Sequence, residues 1–164
     1  MIPLFLLINN YMATLTTNKN FLSPVGFQFT IDRQKFPNIE YFCTAVSLPS
    51  ISLASVEVPY KGVALTEPGN RLEFGELTLA FNVTENLENY IETFNWMHDF
   101  VNTKGDYKED ATLLILNSHN NLSKEVRFNG IFPTNLDALE FDTKSGVEYF
   151  NATVTFEYTS YEFK

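Results

Sequence analysis

Cysteine occurs once in these 164 residues, histidine twice and tryptophan once. A lone Cys43 excludes an intrachain disulfide, and its place in an apolar stretch suits a strand residue better than a nucleophile. His98 stands beside Asp99, but neighbouring helical residues project about 100° apart, so a shared metal is not expected. His119 falls in a polar turn. The chain has no Gly-rich phosphate loop, His-x-x-x-His pair, nucleophile elbow or paired-cysteine motif. The reading is therefore of a protein that is not an enzyme and needs neither metal nor cofactor. Basic residues are also scarce: 11 Lys plus Arg against 20 Asp plus Glu give a formal charge of −9. That balance excludes a phosphate-gripping nucleic-acid binder, though not a protein past which nucleic acid must slide. Long hydrophobic runs are missing. Ile2 to Ile8 is interrupted by Pro3, lacks a basic flank and is too short to cross a bilayer, so no membrane insertion is expected. Asn-x-Thr/Ser matches at Asn82, Asn121 and Asn151 read as chance in a chain rich in Asn and Thr.

What the chain does have is aromatics, 16 Phe and 8 Tyr, which pack well on pleated surfaces and favour strands. The organising stretch is Arg71 to Val101. Leu77, Leu79, Phe81 and Val83 alternate with Thr78, Ala80, Asn82 and Thr84, the pattern of a half-buried strand. The period then changes. Leu87, Tyr90, Ile91, Phe94, Met97 and Val101 recur at spacings of three and four, predicting one amphipathic helix with Asn86 as its N-cap. Leu87, Ile91, Phe94 and Trp96 are expected to pack this helix on the sheet.

Elsewhere the signals are strands and turns. Residues 27–31 alternate as a first strand, followed by a turn at Phe36-Pro37-Asn38 and a strand from Glu40 to Leu48. Ile51 to Leu65 reads as two short extended pieces joined near Pro59, closed by a turn at Pro68-Gly69-Asn70. Ala111 to Leu116 and Ser123 to Asn129 form a hairpin across Ser118–Asn121, and Pro133 should break the ladder that follows. On the last strand Ala152, Val154 and Phe156 face one way and Asn151, Thr153, Thr155 and Glu157 the other. The fold class is mainly β, a sandwich or barrel with one principal α-helix. Residues 1–25 are read as an N-terminal arm and 26–164 as one domain. Met12-Ala13-Thr14 looks like an alternative start, which would make 1–11 an over-long beginning.

Several local patterns resemble the tail tube proteins of contractile-tailed bacteriophages. They are Phe42-Cys43-Thr44-Ala45-Val46-Ser47-Leu48-Pro49, then Val58-Pro59, Gly69-Asn70-Arg71 and Phe74, and Phe94-Asn95-Trp96 on the helix. The most specific are Gly130-Ile131-Phe132-Pro133-Thr134-Asn135 with Leu139, and Phe150-Asn151-Ala152-Thr153 running to Glu157-Tyr158. Together they span Gly26 to Tyr158 in the family's order. Met1 to Pro24 has no counterpart.

The resemblance implies a homo-oligomer: six-fold rings stacked into a hollow tube inside a sheath, attached to a baseplate. It places the protein in the virion tail, assembled in the host bacterial cytoplasm. Strands of neighbouring subunits would join in one barrel around the lumen, leaving no exposed edge. Thr78, Asn82, Thr84, Asn151, Thr153, Thr155 and Glu157 would then face the lumen. A wall poor in cations offers passing DNA phosphates no counterion-releasing partner. An alternative within the fold is a baseplate or hub initiator, or a tail-completion protein. A carbohydrate- or protein-binding β-domain would instead need an exposed aromatic platform.

Overall fold

The computed structural model describes residues 21–32, 34–41, 43–102, 108–143 and 149–164. The expected early start at 1–11 and most of the predicted arm lie outside them. Strand β1 (Phe27–Thr30) is followed by a short helix α1 (Pro37–Tyr41), β2 (Cys43–Ser47), β3 (Ile51–Tyr60), β4 (Val63–Phe74) and β5 (Leu77–Asn82). Helix α2 (Glu88–Asn102) leads into β6 (Glu109–Leu116), β7 (Leu122–Leu136), β8 (Asn151–Glu157) and β9 (Ser160–Phe163).

Fifteen-residue β7 joins two sheets. Its first half pairs with β6 and β9, and its second half with β8, so one sheet runs β1-β6-β7 with β9 and the other β7-β8-β5-β2. The strand changes partner near Gly130, whose φ is +65° and where a Cβ would lie 2.9 Å from Thr159 Oγ1. A side chain is disfavoured there on both counts. Asp110 holds this corner by accepting from Gly130 N–H at 3.2 Å and from Arg127 at 3.0 Å. Pro133 does not end the strand, as expected from the sequence, but coincides with a register shift before Asn135. Between the sheets lie Phe29, Leu113, Val126 and Phe128 from one, and Leu77, Leu79, Phe81, Ala152, Val154 and Phe156 from the other, all buried. Alternation put these residues inside.

Four further expectations need correction. The strand predicted from Glu40 starts only at Cys43, because Pro37 opens a helical turn that buries Ile39 and stacks Phe36 on Trp96 at 4.3 Å. The predicted breaks at Pro59 and at 68–70 are not turns. Instead β3 and β4 make one long hairpin turning at Lys61-Gly62, with φ of +46° and +85° and Tyr60 opposite Val63. Two successive positive-φ residues make the turn whose twist matches the strands. Pro68 and Gly69 sit at an irregularity inside this ribbon, where Gly69 lets the chain approach Ala54 O.

The third correction concerns the start of α2. Asn86 is exposed and Leu87 takes φ +58°, while Thr84 Oγ1 accepts from Glu88 N–H at 2.9 Å. Thr84, and not Asn86, is the capping side chain. Fully buried Asn89 completes the junction by donating to Asn82 O at 2.8 Å and accepting from Thr84 N–H at 3.2 Å.

The fourth is the helix's rotation. The buried line is Asn89, Thr93 and Trp96, with Phe100 partly buried, whereas Ile91 is 47% and Phe94 55% exposed. Each inward position precedes a predicted one by a single residue, a turn of about 100°. Tertiary hydrogen bonding by Asn89 overrode the apolar stripe. Trp96 packs inward against Phe36 and Phe156, and Leu87 is only half-buried.

Candidate functional site

The sheet β7-β8-β5-β2 buries one face and presents the other. On the presented face Thr78 lies opposite Thr155, Ala80 opposite Thr153 and Asn82 opposite Asn151 across the β5–β8 ladder. Strand β2 extends it with Ser47 beside Thr78 and Ala45 beside Ala80, and β7 adds Asn135 opposite Thr155. Asn82, Asn151 and Glu157 are exposed, while Thr78, Thr153 and Thr155 are partly so. Six of the seven predicted face residues thus share one surface. The exception is Thr84, which lies beyond the end of β5 at Asn82 and caps α2 instead.

Chemically this face is small, polar and almost neutral. Across β2, β5 and β8 Glu157 is the only charged residue, and none is Lys or Arg. Helix α2 meets β8 on the opposite side, where Trp96 reaches Phe156 at 5.8 Å.

A second feature stands outside this face. The β3–β4 hairpin exposes Ile51, Leu53, Val56, Val58, Tyr60, Val63, Leu65 and Leu72, each between 44% and 64%. Among the described residues it packs substantially on no other element. Among the described residues it is anchored at its root: Gly75 N–H donates to Ser50 O at 2.8 Å, Tyr158 Oη donates to Gly75 O at 2.7 Å, and Phe74 lies edge-on to Tyr161. Burial pushes the Tyr158 hydroxyl up to about 12, so it stays a donor at ordinary pH. In its outer half Val56, Val58, Tyr60, Val63 and Leu65 share one face and Glu57, Pro59, Ala64 and Thr66 the other, a period-2 pattern interrupted at the irregularity between Leu53 and Ser55. Lys61-Gly62 between two apolar runs was the available clue to the turn.

The titratable groups singled out in the sequence have local roles. His98 stacks on Phe94 at 5.9 Å and its ring approaches Asn102 Nδ2. Asp99 lines a shallow pocket with Glu92, Trp96 and the Lys35–Glu109 ion pair. Backbone N–H of His119 donates to Asn117 Oδ1 within its turn. The Cys43 thiol donates to Ala45 O, and burial raises its pKa to about 11, far from a reactive thiolate. Among the described residues no group of three or more His, Cys, Asp or Glu is placed to hold a metal ion.

Two sheets joined by one long strand, a flanking helix and a projecting hairpin define a tube-protein-type β fold. A cryo-EM chain from the sheath–tube complex of an extracellular contractile injection system (PVC, extended state) superimposes with a TM-score of 0.69 at 21% identity, covering 89% of this chain and 93% of that one. The tube-terminating cap of the anti-feeding prophage gives 0.71 at 17% identity, with 94% and 98% covered. Hcp1 from Flavobacterium johnsoniae gives 0.50 at 15%, with 87% and 94% covered. No curated protein sequence matches. The sequence profile of the phage tail tube protein family matches residues 6–164, and the chain belongs to that family. The family is one of structural tube proteins.

Proposed function

We propose that the chain is the structural subunit of a phage tail tube, that six copies close into a ring, and that stacked rings conduct DNA during ejection. The observation that carries this reading is the cation-free polar face of β2, β5 and β8. Turned inward, Thr78, Asn82, Asn151, Thr153, Thr155 and Glu157 would give DNA a wetted wall without phosphate-binding cations, so the duplex slides without releasing counterions. The wall is polar more than acidic. Repulsion from one carboxylate per subunit acts within about 8–10 Å at moderate salt.

Assembly has its own support. Among the described residues β2 ends its sheet with an open edge that a neighbour's strand would close. An isolated two-stranded hairpin is marginal in water, so the apolar ribbon of β3 and β4 calls for a covering partner. The exposed Ile91, Phe94 and Val101 lie on α2, which meets β8 from the side opposite the polar face. They are free for the sheath and baseplate proteins that a tail tube requires. The place of action is the virion tail, after assembly in the host bacterial cytoplasm.

Likeness to a terminating cap chain favours one second reading, a tail-completion or baseplate ring of the same fold. Copy number in purified virions separates the two, since a tube subunit is among the most abundant species. The oligomer is tested by mass photometry of the purified chain. Particles of six 18.8 kDa chains and their multiples are expected, and a strict monomer at all concentrations refutes the reading.

A further inference from the structure

Asn-Gly occurs once in the chain, at Asn129-Gly130, where β7 passes from one sheet to the other. Glycine is required there, since its φ is +65° and a Cβ would stand 2.9 Å from Thr159 Oγ1. An asparagine followed by glycine is also the least hindered pair for attack of a main-chain nitrogen on a side-chain amide. The corner thus carries a reactive dipeptide whose glycine the fold cannot exchange. Each reacting group is held by a contact. Asn129 lies in extended backbone opposite Ser160, and its carbonyl accepts from Thr159 N–H at 2.9 Å. Its side-chain Nδ2 donates to Ser160 Oγ at 3.3 Å. Gly130 N–H donates to Asp110 Oδ1 at 3.2 Å, and Asp110 is itself fixed by Arg127 Nη2 at 3.0 Å.

We propose that Asn129 is a site of spontaneous deamidation, and that Asp110 and the β7–β9 ladder keep it closed in the folded chain. In the reaction Gly130 N gives up its proton and attacks Asn129 Cγ. The new N–Cγ bond closes a five-membered succinimide, and the Cγ–Nδ2 bond breaks, the nitrogen leaving with that proton as ammonia. Water then adds to either ring carbonyl and opens the ring, giving aspartate or isoaspartate. No electrons are transferred, and water is the only co-reactant. Two features of the corner oppose the first step. Ring closure requires Asn129 to leave the extended form, which breaks its pairing with Ser160. Asp110 engages the Gly130 proton, and its negative charge disfavours the amidate that would form beside it. Arg127 holds the Asp110 carboxyl below the usual range, so it is far too weak a base to take that proton itself. Opening of the corner therefore sets the rate. Isoaspartate lengthens the main chain by one methylene inside the ladder, so Ser160–Phe163 loses its register with Val126–Asn129 and the corner cannot reclose as before. The inference is independent of the tube reading.

Peptide mapping by mass spectrometry tests it on the full chain, incubated in neutral buffer with and without guanidinium chloride. Asn129 should convert far faster in the denaturant, with isoaspartate detected by enzymatic methylation. Asp110→Ala should speed conversion in the folded chain by about three- to tenfold, the factor that one or two ordinary hydrogen bonds represent. Asp110→Asn keeps an acceptor oxygen and should stay closer to the native rate. The Asn117-Ser118 pair in the same digest monitors global unfolding, which speeds both sites, whereas release of the corner speeds Asn129 alone. Equal rates with and without denaturant overturn the protection. An Asp110→Ala chain that reacts no faster, or one in which Asn117 gains equally, overturns the guarding role of Asp110.

Discussion

Replacing Trp96 and replacing Phe94 should have very different consequences, although the two residues are two apart on one helix. Trp96 is 4% exposed, stacked on Phe36 at 4.3 Å and tilted against Phe156 at 5.8 Å. Trp96→Ala empties a space that neither the α1 turn nor β8 can refill, and large aromatic truncations of this kind cost about 3–5 kcal/mol. For a chain of this length that lowers Tm by roughly 6–20 °C, at about 2–4 °C per kcal/mol. Phe94 is 55% exposed and, among the described residues, stacks on His98 alone. Phe94→Ala should cost under about 1 kcal/mol in the free chain, as surface substitutions do. Because Trp96 is the only tryptophan, both variants are followed by far-UV circular dichroism in urea, at concentrations where sedimentation shows a monomer. Equal losses, or a larger loss for Phe94→Ala, would refute the rotation of α2 that buries Asn89, Thr93 and Trp96.

Three further outcomes are expected. Thr155→Lys with Glu157→Lys puts cations on the polar face; tubes should still assemble but retain DNA, each phosphate contact adding about 0.9 to the log–log salt slope of retention. Salt-independent passage at low ionic strength rejects the electrostatic part of the proposed function. Gly130→Ala should destabilise the chain by about 1–2 kcal/mol in urea melts, because φ of +65° disfavours a Cβ and Thr159 Oγ1 stands 2.9 Å from where it would lie. Asp110 has its carboxyl held below the usual range by the Arg127 guanidinium first and by Gly130 N–H second. Its contribution is therefore complete above the unfolded value near 3.9 and is lost as pH falls through the lower folded value. Asp110→Asn should flatten the acid limb of stability against pH while costing less than about 1 kcal/mol at neutral pH, since the pair is half exposed.

The strands were legible where one face is buried and the other wet. In β5 and β8 alternation named the core residues and the polar face together, because a period of two leaves no other assignment. Alternation could not show that Thr84 leaves the ladder to cap α2, a choice made by the buried side chain of Asn89. The same residue hid the helix's rotation: its inward line contains Asn89 and Thr93, polar residues whose hydrogen bonds are internal, so the apolar stripe misled by one position. The hairpin was divided into short pieces for a different reason. Pro59 and Pro68 read as breaks, yet a two-stranded ribbon leaves half its N–H groups unpaired and tolerates proline there. Its apolar side chains stay exposed although they alternate in the outer half, because among the described residues no other element covers them.

Cryo-EM of the purified, assembled chain tests the central claim most directly. Hollow particles of stacked six-fold rings are predicted, with Thr78, Thr153, Thr155 and Glu157 on the inner wall and each β3–β4 hairpin buried against another copy. Monomers under all assembly conditions, or rings that turn this face outward and bury Leu79 and Val154 elsewhere than in their own core, would contradict it.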